Sequence, residues 1–249
     1  MRLDKFFSAA AVLTRRECAA AVRAGRVTVG GVTARRPDQP CDPEKDVVCL
    51  DGARVRYLKN HYVLLYKPDG VVSATEDGRD ATVFSLLPPE YTAWGLFPCG
   101  RLDKHTTGLM LLTDDGELAH RLLSPRRHVE KKYRYRVKFP LTDEECARFE
   151  AGLVLEDGYE TKPAKIERDD ACSGTITLTE GKYHQIKRMM LSLHNQITEL
   201  ERVTFGPLTL PGELKPGEWR EVSEKELAAL RAAAGISADK NEKIGKENA

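Results

Sequence analysis

Four apolar residues in a row, Leu109-Met110-Leu111-Leu112, follow the polar stretch Gly100-Arg101-Leu102-Asp103-Lys104-His105-Thr106-Thr107-Gly108. The run is too short for a helix and predicts a buried strand, with Asp114-Asp115-Gly116 as the turn that closes it. A strand buried in this way demands a layered sheet around it. It also constrains Asp103, an acid between Arg101 and Lys104 on a loop fed straight into the core. Such a scaffold holds a reactive group well. An exposed loop aspartate answering its basic neighbours would show the same local spacing.

The N-terminal 58 residues predict a compact basic unit. Leu3, Phe6, Phe7 and Ala10 lie on one helical stripe, and Thr14-Arg15-Arg16-Glu17 reads as a capping box opening a second helix, stopped at Gly25. Val27 and Val29 alternate before Gly30-Gly31, a hairpin turn signal. Residues 1–36 hold eight Lys/Arg (Arg2, Lys5, Arg15, Arg16, Arg23, Arg26, Arg35, Arg36) against Asp4 and Glu17, although the whole chain carries a formal charge of only +1. Clustering, not total charge, therefore carries any argument for an RNA partner.

Beyond a linker near residues 57–61, the pattern predicts a strand at Tyr62–Tyr66 and a surface excursion over residues 73–92. After the central strand come a short helix from Glu117 to Leu123, a helix capped by Thr142, strands near 162–167 and 174–179, and a helix from about Gln185 to Leu193. Ile197–Thr204 reads as a weakly alternating final strand, and Ser223-x-x-Glu226 caps a terminal helix to about Ala234. Between Arg126 and Lys138 seven Lys/Arg face a single acid, with Tyr133, Tyr135 and Val137 alternating. Aromatics interleaved with cations suit bases and phosphates, and an edge strand guarded by charge has the same pattern. Together these elements predict an α+β fold around a largely antiparallel mixed sheet flanked by helices. The expected domains are an RNA-binding module (1–58), a catalytic domain (59–234) and a tail without apolar anchors (235–249).

Gly-Arg-Leu-Asp, then Thr-Thr-Gly and an apolar strand ending in Thr-Asp-Asp-Gly, resembles the active-site signature of the pseudouridine synthases, most closely the RsuA-type branch that acts on ribosomal RNA. The order Arg-Leu-Asp-Lys-Phe, Arg-Arg-Glu-Cys, Gly-Arg-Val-Thr-Val-Gly-Gly is similar to the small RNA-binding module of ribosomal small-subunit protein four. The resemblance implies isomerisation of uridine to pseudouridine without a cofactor or metal, with Asp103 as the essential carboxylate. It implies support from Tyr133 packed on the target base and from Lys182 paired with the aspartate, while Arg101, two residues from the acid, is a further candidate by position alone. RNA contacts are expected from Arg2, Lys5, Arg15, Arg16, Arg23, Arg26, Arg126, Arg127, Lys131, Lys187 and Arg188. Ser-Pro-Arg-Arg-His-Val-Glu-Lys-Lys-Tyr and Gly-Lys-Tyr-His-Gln-Ile-Lys-Arg-Met look most like members that modify 16S RNA.

The chemistry needs what this motif offers. Breaking the bond from ribose C1′ to uracil N1 leaves positive character on the sugar, which one ionised carboxylate can meet by attack or by electrostatics, or by helping a 2′ proton leave. No water is consumed, so no second hydrolytic carboxylate is required. In a pocket that excludes water, that carboxylate stays charged only beside a cation, and Arg101 and Lys182 are the candidates. The six cysteines form no Cys-x-x-Cys pair and no two histidines stand at i, i+4, so a metal site is not expected. No apolar run reaches membrane length and the N-terminus lacks a signal-peptide core, so a cytoplasmic protein without an obligate protein partner is expected. The competing readings are the same chemistry on 23S RNA and a non-catalytic ribosome-assembly factor, for which the acid would be dispensable.

Overall fold

The computed structural model describes residues 1–236 except Ala11, Glu90, Thr92 and Ala93. Most of the expected 235–249 tail thus lies outside the described residues. Packing divides the chain into Met1–His61 with Pro88–Gly95, and Tyr62–Leu87 with Leu96 onward.

The first unit comprises α1 (Leu3–Ala9), α2 (Arg15–Arg23) and a sheet of β1 (Val27–Val29), β2 (Val32–Thr33), β3 (Val48–Leu50) and β4 (Ala53–Arg54), in the order β2-β1-β3-β4. Leu3, Phe6 and Phe7 are buried at helical spacing against Cys18, Val22 and Val27. The Thr14 capping box is present: Glu17 N–H donates to Thr14 Oγ1 at 3.2 Å, and Thr14 N–H donates to the Glu17 carboxylate at 2.7 Å. Such a cap contributes about 1 kcal/mol. Gly30 and Gly31, at φ +58° and +80°, make the tight turn that only a glycine pair takes without strain.

The second unit is built on β5 (Tyr62–Lys67), β6 (Phe97–Pro98), β7 (Thr107–Thr113), β8 (Lys131–Val137), β9 (Lys165–Arg168), β10 (Ser173–Leu178), β11 (Ile197–Phe205), β12 (Leu208–Thr209) and β13 (Trp219–Glu221). The main path runs β13-β5-β7-β11-β8-β10-β9, with β6 beside β7 and β12 beside β11. Every pairing in it is antiparallel except β7 with β11. The sheet is therefore mixed and largely antiparallel, as expected, but Ile197–Phe205 is not its last strand. The helices are α3 (Gly116–Leu123), α4 (Asp143–Ala151), α5 (Gln185–Ser192) and α6 (Glu224–Ala233). Leu118 and Leu122 of α3 and Leu230 of α6 pack with Leu64, Leu109, Leu111 and Phe205 in one core.

Two details of β11 set how closely it meets its neighbours and where its side chains point. Gly108 lies beside Arg202 in the parallel pairing, and a Cβ there would collide with the Arg202 carbonyl. A glycine at φ +104° is what lets β7 and β11 approach. The second detail is a pair of register shifts in β11 against β8, the later one between Arg202 and Thr204. Bulges of this kind re-aim the side chains around them.

Candidate active site

Asp103 lies on the loop that leads into β7, and backbone hydrogen bonds fix that loop on several sides. Thr106 N–H donates to the Asp103 carbonyl at 3.0 Å and Gly70 N–H to the Lys104 carbonyl at 3.0 Å. Ser73 clamps the preceding residue, donating from Oγ to the Leu102 carbonyl at 2.7 Å and accepting Leu102 N–H at 3.0 Å. Beneath the loop, the fully buried Lys67 ammonium donates to the carbonyls of Pro68 (3.0 Å), Lys104 (3.0 Å) and Thr106 (2.9 Å). Burial pushes Lys67 down to about 8, while the carboxylates of Asp69 and Asp103 work against that fall. Three carbonyl acceptors satisfy its three donors, so the lysine fastens the turn that carries the acid.

The cation that meets Asp103 comes from α5. Lys187 Nζ stands 2.9 Å from Asp103 Oδ2, and His184 Nε2 stands 3.4 Å from Oδ1. The two side chains of the Asp103–Lys187 pair are 25% and 27% exposed, so water reaches them from one side only. His184 is the N-cap of α5 and Lys187 belongs to its first turn, so the carboxylate also faces the positive end of that helix.

This corrects the expected pairing. Lys182 lines the same cleft, but its ammonium lies over the Tyr159 ring, 4.7 Å from the centroid, with the loop folded so that Lys187 is the residue aimed at the acid. Lys187, expected among the RNA contacts, is instead the cation that meets Asp103. Arg188 is not a free cation either, since it pairs with Asp157 at 2.5 Å. Arg101 is exposed and lines the cleft without an ion pair among the described residues. His105 turns to Asp69 at 3.0 Å.

The Lys182 loop has its own support. Buried Glu180 accepts from Tyr159 Oη (2.7 Å), Lys162 N–H (3.0 Å) and Gln185 Nε2 (2.5 Å). Gln185 in turn accepts Lys182 N–H at 2.9 Å. Glu180 also borders the cleft, but it is buried and turned to these three protein donors.

The cleft itself, about 120 Å³, opens between the Asp103 loop, the start of α5 and the surface of β8 and β11. Tyr133 lines it from β8 with its ring largely buried. Strand β8 alternates as expected, and its buried face takes Lys131, Tyr133, Tyr135 and Val137. That corrects the expectation for Lys131, which is no surface contact: it is buried, lines the cleft and donates to the Val129 carbonyl at 3.0 Å. Burial, then the neighbouring Arg202, pushes it down to about 8. Arg202 is buried too, with Nε donating to the Leu109 carbonyl at 2.7 Å and its guanidinium over Phe205. Its Nη2 has no partner among the described residues. The sequence reading missed Lys67, Glu180 and Arg202. A signal existed for the last, because Leu200 and Arg202 share one face of a strand.

Of the other expected RNA contacts, Arg2 and Arg26 are tied to Asp4 and Asp51 in two-pronged pairs. Lys5, Arg15, Arg16 and Arg23 are exposed and make no ion pair among the described residues. Arg126 and Arg127 are exposed, and Arg127 lies against Gly235.

Comparison with known proteins places this geometry. Residues 61–192 match the model of a family described as RNA pseudouridylate synthase, and residues 1–48 match the S4 domain. A Bacillus subtilis (strain 168) protein named "Uncharacterized RNA pseudouridine synthase YtzG" is 44% identical, over 92% of this chain and 98% of its own. Ribosomal small subunit pseudouridine synthase A of Escherichia coli (strain K12) is 38% identical, over 92% of this chain and 100% of its own. A crystal structure of a pseudouridylate synthase superimposes with a TM-score of 0.66 at 33% identity, covering 92% of this chain and 99% of that one.

Proposed function

This chain belongs to the RNA pseudouridylate synthase family, and on that premise we propose that it converts one uridine of 16S ribosomal RNA to pseudouridine, with Asp103 as the catalytic carboxylate. The observation that carries the reading is the Asp103–Lys187 pair at 2.9 Å, at the edge of a cleft whose other carboxylate, Glu180, is buried and already accepts three hydrogen bonds from the protein itself. One acid with oxygens available to a substrate is what the reaction requires.

The target uridine leaves its stack, at a cost of a few kcal/mol in a duplex and less in a loop, and its base enters the cleft against Tyr133. The C1′–N1 bond breaks with its electron pair on the uracil, and Asp103 faces the electron-poor C1′. The base turns, C5 bonds to C1′, the C5 proton departs and N1 takes one up, so the product is an isomer and no cofactor is consumed. Lys187 holds the acid's charge and direction through this sequence. Exposed Lys5, Arg15, Arg16, Arg23 and Arg126 supply phosphate contacts, which fix register and do not read bases. The small-subunit assignment draws on the name of the Escherichia coli relative and on the Tyr183-His184 pair within the Gly181–Met189 stretch. Such a substrate places the protein in the cytoplasm, where ribosomes assemble.

The test is pseudouridine mapping of ribosomal RNA from cells with the wild-type chain, with Asp103→Asn, or with neither. One 16S position should lose its pseudouridine in the last two, with Asp103→Asn still binding RNA. A lost position in 23S RNA would move the substrate to the large subunit. An Asp103→Asn chain that retains full conversion would end the catalytic assignment.

A further inference from the structure

Tyr183 is the most exposed large apolar side chain among the described residues, at 72%. It stands between Lys182 and His184, both of which line the active-site cleft. One face of its ring is stacked on the His184 imidazole, with centroids 3.8 Å apart and planes 16° from parallel. The exposure leaves the other face open to solvent. His184 reaches Asp103 at 3.4 Å, so the Tyr183 ring sits one aromatic layer beyond the group that touches the catalytic carboxylate.

An exposed aromatic ring ordinarily gains little by being fixed, yet this one is held in place. His184 adopts the left-handed conformation (φ 49°, ψ 30°), an uncommon one for a residue other than glycine, and this turns the two rings face to face. Gln185 N–H bonds the Lys182 carbonyl at 3.1 Å and Lys182 N–H bonds Gln185 Oε1 at 2.9 Å, closing the turn on both sides. Arg188 donates to the Tyr183 carbonyl at 3.5 Å. The result is a flat ring at the mouth of the cleft, backed on one face by the His184 imidazole, with cationic Lys182 and Arg188 close by.

We infer that Tyr183, backed by His184, is a stacking platform for the nucleobase next to the target uridine. The inference rests on the reading of the cleft as a uridine site. When a uridine leaves its stack, one face of each neighbouring base loses its partner. An aromatic ring one layer from the acid gives that bared face a surface to lie on. Stacking on an aromatic ring tolerates any base, because every base has a π face. The platform therefore strengthens binding and holds the strand open without adding sequence preference at that position.

The experiment uses two single-stranded RNA decamers with one central uridine, one carrying 2-aminopurine on its 5′ side and the other on its 3′ side, together with a full-length 16S transcript for kinetics. With the wild-type chain, 2-aminopurine fluorescence should be quenched on binding. Tyr183→Ala should abolish the quench at one of the two positions and raise KM for the transcript about tenfold, with a much smaller change in kcat. Tyr183→Phe, which keeps the ring, should behave as wild type. An undiminished quench with Tyr183→Ala, or a wild-type complex with no quench at either position, would overturn the inference. A wild-type chain that makes no pseudouridine in the transcript or in ribosomal particles would remove the functional reading, and this inference with it. That failure shows before any variant is made.

Discussion

Arg26, in the N-terminal unit, is half exposed and grips both oxygens of Asp51, at 2.7 and 2.5 Å. Lys67, in the second unit, is fully buried and bonds three backbone carbonyls, with no ion pair among the described residues. The contrast extends to their neighbours. Arg36 with Asp38 repeats the surface pattern and Arg2 reaches from the surface to the buried Asp4, whereas Lys131 and Arg202 repeat the buried one, each bonded to a carbonyl. A surface pair is worth at most about 1 kcal/mol, because water serves either partner almost as well. A buried cation has no such alternative, and its removal strands every acceptor it served. The first unit thus keeps its cations at the surface, while Lys67, Lys131 and Arg202 of the second fix backbone and Lys187 meets Asp103.

The hardest test of that contrast is at Asp103. Lys187→Met should lower single-turnover pseudouridine formation about 100-fold or more, since the acid then lies in its cleft without a countercharge. Lys182→Met, at a residue that borders the cleft but lies on Tyr159, should cost less than tenfold. Equal losses in the two variants would mean that the lysines exchange places when RNA binds. Lys67→Met comes next. It strands the Pro68, Lys104 and Thr106 carbonyls, so it should destabilise the chain by about 2–3 kcal/mol in urea unfolding. It should also lower kcat at least tenfold, because the loop that aims Asp103 loosens.

Legibility in the sequence divides along the same line. Where a structure is set by neighbours in sequence, the reading succeeds: the capping boxes at Thr14, Thr142 and Ser223 are all formed. The apolar run at Leu109–Leu112 is likewise a buried strand. Surface arginines could be counted as charge without knowing the fold. The Asp103–Lys187 pair could not, because it joins a loop to a helix distant in sequence, and only the turn before α5 decides between Lys182 and Lys187. Lys67 closes an apolar strand and reads as a polar end; its burial depends on the loop that folds over it. β11 shows only a weak period because two bulges interrupt its alternation, which leaves the Leu200–Arg202 spacing between them as the one sign of Arg202 on the core face. β13 is a three-residue edge strand after a Pro- and Gly-containing loop, too short to show a period.

The two units should also part company with pH. Lys67 and Lys131 release their protons near pH 8 in the folded chain, against an ordinary value of 10.5 in the unfolded one. From pH 8 to 9 the unfolded chain therefore binds more protons, and stability rises with pH, by an amount on the order of 1–2 kcal/mol. The N-terminal unit has no such buried lysine. Its buried Cys18 is pushed up to about 11, so above pH 9 it holds a proton that the unfolded thiol gives up, and stability there falls. Cys99, pushed up to about 12, turns the second unit downward in the same range. Hydrogen-exchange protection, corrected for intrinsic rate, should rise between pH 8 and 9 in strands β5, β7 and β8 and stay level in α1 and α2. A parallel response in both units would refute the contrast.

The smallest effect separates charge that is spoken for from charge that is free. Arg26 already holds Asp51 and in this arrangement neutralises no phosphate, although Arg26→Ala still lowers the local charge by one. Arg16 has no such partner among the described residues, so Arg16→Ala removes its charge outright. Against a 16S transcript, Arg16→Ala should weaken binding a few-fold and make the dependence of log affinity on log salt shallower by about one. Arg26→Ala should leave the slope within experimental scatter and cost under about 1 kcal/mol in stability. If Arg26→Ala flattens the slope as much as Arg16→Ala, the Asp51 pair opens on contact with RNA. The two-pronged contacts would then be a resting arrangement of a surface whose every arginine is available to phosphate.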